Sequence, residues 1–388
     1  MSENHRAAPL VVLIGSKPAE GYQTLARMGL PYVWVVDPVD GPLPDAEGFV
    51  QILEVPFKSE PEAVLSRVLP AGVQAVISFT EMGSLPAALL SEALGLPTVP
   101  VRAVLRARHK LLMRRLLAGD PDALAFGVVG VDDPAGADFP VIVKPADGTG
   151  SMGVEYVPDA ATYAERAGAL AGAMWEHYLG GAEYSVEAVS SGGVHRILGV
   201  TAKQTTGKPY FVETGHEVPA TLTPEDSQAI RTSVLRCLDA LEITTGGSHT
   251  EVKVENGRAV VIETHTRPGG DRIPLLTRLV GGADQYELSI RALLPPIEAA
   301  EESPRHKYAA VHYFPWQDVT IAGVDNLEQC RALPGVEELV VQVADGAAVP
   351  VWRYSHERPG HVVVGADSRD ELRERLAAVT REIRPRLS

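Results

Sequence analysis

The sequence predicts an α/β protein whose first hundred residues form a doubly wound parallel domain. Short apolar runs ("PLVVLIG", "PYVWVVD", "QAVISFT") alternate there with helical patterns ("GYQTLARMGL", "SLPAALLSEALGLP"), and strands that alternate with helices form parallel sheets. From Pro140 the pattern changes to strands, including a hairpin about Asn256-Gly257. A mixed β lobe and the helix "SRDELRERLAAVTREI" end the chain.

Composition excludes several classes of protein. The 388 residues carry a formal net charge of −15, which argues against a nucleic-acid or anionic-membrane binder. Two distant cysteines, Cys237 and Cys330, predict neither a disulfide framework nor a zinc cluster. No apolar run approaches the roughly 18 residues that a membrane span needs, and the N-terminus makes a poor signal peptide. We therefore expect a cytoplasmic protein.

A glycine-rich stretch, "KPADGTGSMGV", contains Gly148, Gly150 and Gly153. A dinucleotide fingerprint needs a helix after the glycines, but the strand-like "VEYV" follows. A Walker A loop needs a lysine after them, and in protein kinases the phosphate lysine follows the loop, whereas Lys144 precedes it. There remains a hairpin whose backbone N–H groups close over phosphates beside Lys144, or a loop that needs glycine only for its backbone conformation.

Four segments together resemble the ATP-grasp superfamily, in its order, from about Arg106 to Ile290. They are the helix "ARHKLLMRRLL", the phosphate-loop hairpin "PVIVKPADGTGSMGV", the hinge "WEHYLGGAEYSVE", and the metal hairpin with the arginine after it, "TEVKVENGRAVVIETHTRPGGD". The resemblance implies a two-lobed ATP-grasp domain between an N-terminal α/β domain and a closing lobe. The implied domains are 1–103, 104–190 (small lobe), 191–298 (large lobe) and 299–388.

The resemblance also implies the nucleotide site. Lys110 and Lys144 would contact the phosphates and the adenine edge, and Glu183 would accept hydrogen bonds from the ribose unless it merely alternates on an exposed strand. Glu176 and Leu179 would bind adenine through backbone groups, so their side chains are expected to matter little. The remaining ATP-binding positions are Ser151, Met152, Gly153 and Tyr178.

Glu251 and Glu263 lie at the outer ends of the two hairpin strands, where Mg²⁺ or Mn²⁺ can bridge two carboxylates and phosphate oxygens. A two-residue Asn256-Gly257 turn with an unbroken ladder would place Glu251 opposite Ile262 and Glu263 on the other face. A longer loop or a bulge would place the two glutamates opposite each other. The metal hypothesis therefore predicts an irregular hairpin.

His265 stands where the superfamily usually has asparagine. Two alternatives stay open: metal ligation through nitrogen, although Mg²⁺ prefers oxygen, or a hydrogen bond to phosphate or substrate.

The reaction implied by the resemblance is ATP-dependent ligation of a carboxylate to an amine through an acylphosphate, with ATP as co-substrate. Arg267 would be the catalytic cation, unless it is an exposed turn residue, and Gly270 would let the backbone approach the acyl group. "FVETGHEVPA" and "ETHTRPGGDRIP" resemble bacterial amino-acid ligases that make dipeptides or dipeptide-like metabolites. Glu213, His216, Arg267, Gly270 and Asp271 would then bind substrate.

Two other functions remain open: a ligase that uses bicarbonate or a purine-pathway intermediate, and a nucleotide-binding protein without activity. The expected partners are small amino-acid and amine substrates, with neither nucleic acid nor membrane. For the oligomeric state we expect a homodimer, the commonest symmetric assembly of soluble proteins.

Overall fold

The computed structural model describes residues 8–148, 150, 152–294 and 303–388. Its N-terminal domain contains a parallel sheet of strand order β3-β2-β1-β4. The strands are β1 (Leu10–Ile14), β2 (Tyr32–Val36), β3 (Phe49–Glu54) and β4 (Val73–Ser78). The sequence analysis did not predict β3, an edge strand whose side chains are largely exposed.

Both faces of this sheet are covered, because side chains alternate along each strand. Val11 and Leu13 pack in a cluster with helix α1 (Ala19–Arg27), and Val12 and Ile14 pack in another with α2 (Glu81–Leu94). The doubly wound α/β domain is confirmed.

The basic segment predicted as one helix forms two, α3 (Val101–Arg108) and α4 (Lys110–Leu116). The break lies at His109, whose backbone is extended and whose ring accepts a hydrogen bond from Leu112 N. Lys110 N, at the new helix start, donates to Ala146 O at 2.7 Å. The break therefore joins α4 to the glycine-rich loop.

The small lobe is an antiparallel sheet of order β5-β8-β6-β7 with α5 (Ala160–Leu170) beside it. Its strands are β5 (Phe126–Val128), β6 (Val141–Lys144), β7 (Glu155–Val157) and β8 (Met174–His177). The glycine-rich stretch connects the antiparallel pair β6 and β7, as predicted for a hairpin loop.

The central structure is an eight-stranded sheet of order β13-β12-β9-β10-β11-β14-β18-β16. Its strands are β9 (Ala182–Ser191), β10 (Val194–Thr205), β11 (Glu213–Val218), β12 (Gly246–Glu255), β13 (Arg258–His265), β14 (Tyr308–Tyr313), β16 (Val336–Val341) and β18 (Gly360–Ala366). The helices of this region are α6 (Pro224–Ala240), α7 (Ile273–Gly281) and α8 (Gln285–Arg291). Strand β9 belongs to this sheet, so the small sheet ends before residue 190, where the sequence analysis divided the lobes.

The C-terminal region continues the same sheet through β14, β18 and β16 rather than forming a separate layer of its own. A second antiparallel sheet joins β15 (Val319–Asp325), β17 (Ala347–Val349) and β19 (Arg384–Leu387), with α9 (Leu327–Arg331) and α10 (Arg369–Glu382) beside these strands. The segment "PIEAAEESPRHK" (296–307), whose composition predicts a linker, falls partly outside the described residues. Among those described, no helix is long and apolar enough to cross a bilayer.

The large sheet has one apolar and one charged face. Val186, Ala188 and Val252 pack against Ile230 and Leu238 of α6. The alternate positions carry charged residues, and we call this side the polar face. Between β9 and β12, Glu183 pairs with Lys253 and Glu187 with His249 on this face. The polar face is the floor of the candidate site.

Candidate active site

A cleft of about 870 Å³ lies between the small sheet and the polar face. It brings together most of the predicted nucleotide and metal residues. Its lining includes Lys110, Lys144, Met152, Glu176, Tyr178, Leu179, Glu183, Glu251 and Glu263.

Glu176 pairs with two cations at the inner wall of this cleft. Lys144 Nζ donates to one of its carboxylate oxygens, and Arg114 Nε donates to the other at 2.8 Å. Burial alone would raise the pKa of the Glu176 carboxyl, but Arg114 and Lys144 outweigh it and lower that pKa. The Glu176 side chain therefore has a structural role that the sequence analysis, which considered only its backbone, did not foresee.

Lys110 joins the glycine-rich loop to the metal hairpin. Its Nζ donates to Gly148 O at 2.7 Å and lies 3.0 Å from Glu263 Oε2. Burial opposes its charge, but Glu263 raises the pKa of Lys110 above its usual value. This buried cation lines the cleft beside the loop predicted to hold phosphate.

Two of the three predicted loop positions are described. Met152 is half exposed and lines the cleft. Gly153 has φ +72°, and a Cβ there would lie 3.1 Å from Pro145 Cγ, so this tight turn favours glycine. Ser151 lies outside the described residues.

The hinge positions Tyr178 and Leu179 line the cleft. Tyr178 packs edge-on against Tyr156 with ring centroids 4.9 Å apart. Leu179 O accepts a hydrogen bond from Lys253 Nζ at 3.3 Å.

Glu251 and Glu263 lie directly opposite each other in the β12–β13 ladder. The turn has two residues, since Glu255 pairs with Arg258, and the register shifts between Glu251 and Val252. Ile262 is the extra residue of this bulge. The irregularity that the metal hypothesis required is present, and it lies in the strand rather than in the turn.

Both carboxyls are half-buried and lie beside cations. Burial alone would raise the pKa of the Glu251 carboxyl, but Lys203 and His249 outweigh this effect. Burial acts in the same way on Glu263, where Lys110 and His265 outweigh it. The pKa of each carboxyl is therefore lowered. No group of three His, Cys, Asp or Glu suited to a metal occurs among the residues described. The oxygen-rich pair fits a hard divalent ion completed by phosphate oxygens and water.

Lys203, which the sequence analysis missed, lies at the centre of the polar face. Its Nζ lies 2.8 Å from Glu183 Oε1, 2.7 Å from Glu251 Oε1 and 3.7 Å from Glu213 Oε1. Burial opposes its charge, yet these carboxylates raise the pKa of Lys203 well above its usual value. One lysine thus joins the predicted ribose, metal and substrate positions.

His249 and His265 flank the glutamate pair and lie opposite each other, with ring centroids 6.0 Å apart. His265 Nδ1 lies 2.8 Å from Glu81 Oε2, and its Nε2 lies 3.2 Å from Glu263 Oε1. Burial lowers the pKa of His265, but Glu81 and Glu263 raise it overall. Both ring nitrogens therefore lie within hydrogen-bond distance of carboxylates of this chain, and metal ligation and a hydrogen bond to phosphate or substrate both stay predictions.

Arg267 is held by the N-terminal domain. Its Nε donates to Glu81 Oε2 at 3.0 Å, and Glu81 lies at the start of α2. Burial raises the pKa of the Glu81 carboxyl, but His265 and Arg267 lower it to about 2. Its position at the carboxyl end of β4 was the only sequence signal for Glu81.

A second cleft, of about 1330 Å³, contains Arg267 in its wall. Lys17 and Thr80, from the carboxyl ends of β1 and β4, line it together with Arg267, Gly270 and Asp271. Strands β1 and β4 are neighbours, and the helices that follow them, α1 and α2, pack on opposite faces of the sheet. Ligands of doubly wound sheets bind at such a point.

The predicted substrate residues Glu213 and His216 share one face because β11 contains a bulge. Thr205 pairs with Glu213 and Lys203 with His216, so three residues of β11 span two residues of β10. Glu213 lines the nucleotide cleft. His216 Nε2 lies 3.3 Å from Asp271 Oδ2.

The C-terminal region completes this group with two residues that the sequence analysis missed. Arg358 donates to both carboxylate oxygens of Asp271, at 2.9 and 2.6 Å, and Ser355 Oγ donates to Glu213 Oε2 at 2.5 Å. Burial opposes the charge of Asp271, but its hydrogen bonds with His216 and Arg358 lower the pKa of Asp271. No local sequence pattern would have identified Arg358 or Ser355 as site residues.

Comparisons with known proteins agree with this geometry. Residues 160–274 match the model of the ATP-grasp domain, and residues 312–388 match L-amino acid ligase C-terminal domain 2. The chain therefore contains an ATP-grasp domain. More particularly, it carries the C-terminal domain of the L-amino acid ligases.

Three individual proteins that resemble this chain share at most 29% sequence identity with it. An L-amino acid ligase from Bacillus licheniformis has a similar fold, with a TM-score of 0.84 at 22% identity over 98% of this chain and 99% of that one. Carnosine synthase 1 of Gallus gallus is 29% identical over 64% of this chain, and the uncharacterized protein y4rH of Sinorhizobium fredii is 29% identical over 60% of it. The matches span only 31% and 50% of the lengths of these two relatives.

Proposed function

We propose that the protein is an ATP-dependent ligase that joins an amino acid, or an amino-acid-like acid, to an amine through an acylphosphate. The observation that carries this proposal is the facing pair Glu251 and Glu263 in a cleft that Lys110 and Lys144 also line. Arg267 lines a second cleft and is connected to Glu263 through Glu81 and His265. A nucleotide cleft that is connected in this way to a chamber lined by an arginine suits phosphoryl transfer between two bound substrates.

In the first step a carboxylate oxygen of the acid attacks the γ-phosphorus of ATP, the bond to the β–γ bridging oxygen breaks, and ADP leaves. In the second step the amine nitrogen attacks the acyl carbon, the acyl C–O bond to phosphate breaks, and a proton leaves the nitrogen. Lys110, Lys144 and Arg267 are placed to stabilise the negative charge that both steps build on oxygen. Mg²⁺ or Mn²⁺ on Glu251 and Glu263 would supply further positive charge beside the phosphates.

The second cleft is the proposed chamber for the amino-acid substrates. Asp271 lines this cleft and presents a carboxylate suited to an α-ammonium group, and His216, which contacts Asp271, is the candidate base for the amine. Glu213, which lines the nucleotide cleft, is the second carboxylate proposed for the α-ammonium group. The C-terminal match to the L-amino acid ligases supports amino-acid substrates over bicarbonate or a purine intermediate. The carnosine synthase match supports the same class, because the product in that name is a dipeptide.

The test is an assay of ADP release with paired pools of amino acids. Stimulation by a pair of amino acids, with a condensed product in mass spectrometry, is expected. Stimulation by bicarbonate plus a ribotide would support the purine-type alternative, and no stimulation by either would support a nucleotide-binding protein without activity.

The same assay distinguishes the acylphosphate route from adenylation. We expect ADP and phosphate as products. Release of AMP and pyrophosphate would contradict the proposed first step.

A further inference from the structure

Arg114, on the face of α4 that points toward β13, contacts the backbone of the bulge in the metal hairpin. Its Nη1 donates to Val261 O at 2.6 Å and its Nη2 to Ile262 O at 2.8 Å. Its remaining donor, Nε, contacts Glu176. Arg114 is only 3% exposed, and all of its nitrogens have a hydrogen-bond acceptor.

The two accepting carbonyls are consecutive and belong to the bulge itself. Strand β13 is at the edge of the large sheet, and in a regular strand successive carbonyls point in opposite directions. Val261 pairs with Val252 and Glu263 with Glu251, which leaves Ile262 unpaired. The planar fork of a guanidinium matches two neighbouring oxygens in a way that a single ammonium does not.

The bulge decides which face Glu263 occupies. Without it the ladder near the turn, in which Glu255 pairs with Arg258, would continue and place Ile262 opposite Glu251. Glu263 would then point toward the apolar face, where α6 packs. In that register the buried guanidinium would lose an accepting carbonyl, which is costly for a charged group.

We propose that Arg114 is a positioning residue for the metal pair: by binding Val261 O and Ile262 O it holds the bulge that keeps Glu263 opposite Glu251. This inference rests on the proposed metal site. Arg114 acts through the backbone of β13 and contacts neither carboxylate of the pair.

Lys110 lies one helical turn before Arg114 on the same face of α4. It contacts the Glu263 carboxylate while Arg114 contacts the backbone just before that residue. Helix α4 therefore contacts β13 at two successive points.

The test compares Mn²⁺ binding by three full-length proteins: Arg114→Lys, Arg115→Lys and the unaltered chain. Binding is measured by electron paramagnetic resonance at saturating ADP. Arg114→Lys keeps the charge but loses the fork, and we expect the half-saturating Mn²⁺ concentration to rise about 10- to 100-fold, as for other residues that orient metal ligands. Arg115→Lys, the same change at the exposed neighbouring position, should leave it unchanged. Equal Mn²⁺ affinity in folded Arg114→Lys and in unaltered protein would overturn the proposal.

A deletion separates positioning from a general structural role. Removing Ile262 takes out the extra residue, so Glu263 opposes Glu251 in an unbroken ladder that needs no support. Arg114→Lys combined with this deletion should bind Mn²⁺ within about threefold of the deletion alone, since orienting effects of roughly 10-fold or more would then be absent. A tenfold difference in Mn²⁺ affinity between those two proteins would overturn the proposal. This comparison remains decisive if Arg114→Lys alone does not fold.

Unaltered protein supplies the remaining control. If it shows no Mn²⁺ binding that depends on ADP, the proposed function fails and the positioning role fails with it. Mn²⁺ binding that survives Arg114→Lys overturns the positioning role only.

Discussion

The guanidinium of Arg267 and the carboxylate of Glu81 lie 3.0 Å apart across the boundary between the ATP-grasp and N-terminal domains. Glu81 also binds His265, which in turn contacts Glu263. The arginine proposed to act on the reacting oxygens is thus oriented by the N-terminal domain and connected to the metal pair through one histidine.

Arg267→Lys should bind ATP nearly as the unaltered protein does but lose most of its kcat. Lysine keeps the charge, but it cannot hold two oxygens with one planar group. Loss of one such donor costs about 100- to 1,000-fold in rate. Steady-state kinetics with the active amino-acid pair and an ATP titration provide the measurement. Unaltered kcat would refute the catalytic role, and weaker ATP binding at unchanged kcat would move Arg267 to the nucleotide side of the site.

Glu263→Ala should abolish Mg²⁺- or Mn²⁺-dependent ATP turnover while the protein stays folded. The change removes one of the two facing carboxylates, and the remaining residues described offer no third acidic or histidine ligand. Turnover at several Mg²⁺ concentrations and circular dichroism are the measurements, and Glu165→Ala on the exposed side of α5 is the matched control. Near-normal turnover in Glu263→Ala would remove the metal assignment.

Lys203→Met should destabilise the fold by about 3 kcal/mol, the lower end for a broken buried ion pair, because the carboxylates that lose their shared cation are only half-buried. Glu183 and Glu251 both lie within 2.8 Å of its Nζ. Urea unfolding at neutral pH gives the free energy, and Lys307→Met at an exposed position is the control. A loss of stability no larger than that of the control would show that Lys203 does not hold this cluster together.

His249 should make stability fall at alkaline pH. Burial lowers its pKa, but Glu187 and Glu251 raise it to about 9 from 6.5. A raised pKa in the folded state means that the stabilisation is complete below about pH 6.5 and is lost as the pH rises through about 9. Its upper limit is about 3 kcal/mol, since each pKa unit corresponds to about 1.4 kcal/mol.

His249→Gln tests this expectation. The free energy of unfolding, measured between pH 6 and 10, should differ from that of unaltered protein mainly below pH 9, and the two curves should converge above it. His356→Gln, at an exposed histidine, should run parallel to the unaltered curve throughout. A constant offset between the His249→Gln and unaltered curves would contradict the raised pKa.

Much of the architecture followed from local patterns. Alternating apolar strands and helices predicted the N-terminal sheet, and the four ordered motifs predicted an ATP-grasp domain. The edge strand β3 was missed because its pattern is mostly exposed. The break at His109 was missed because it is stabilised by a contact with Ala146, far along the chain.

The amino-acid sequence by itself determined which chemical groups are present and in what order: the glycine-rich hairpin, the two glutamates of the metal hairpin and the arginine after them. It left open which face each side chain occupies, because one extra residue in a strand reverses every later side chain. The bulges at Ile262 and Thr214 decide that question for Glu263 and Glu213. At Ile262 the contact that favours the bulge comes from Arg114, distant in sequence and brought there only by folding.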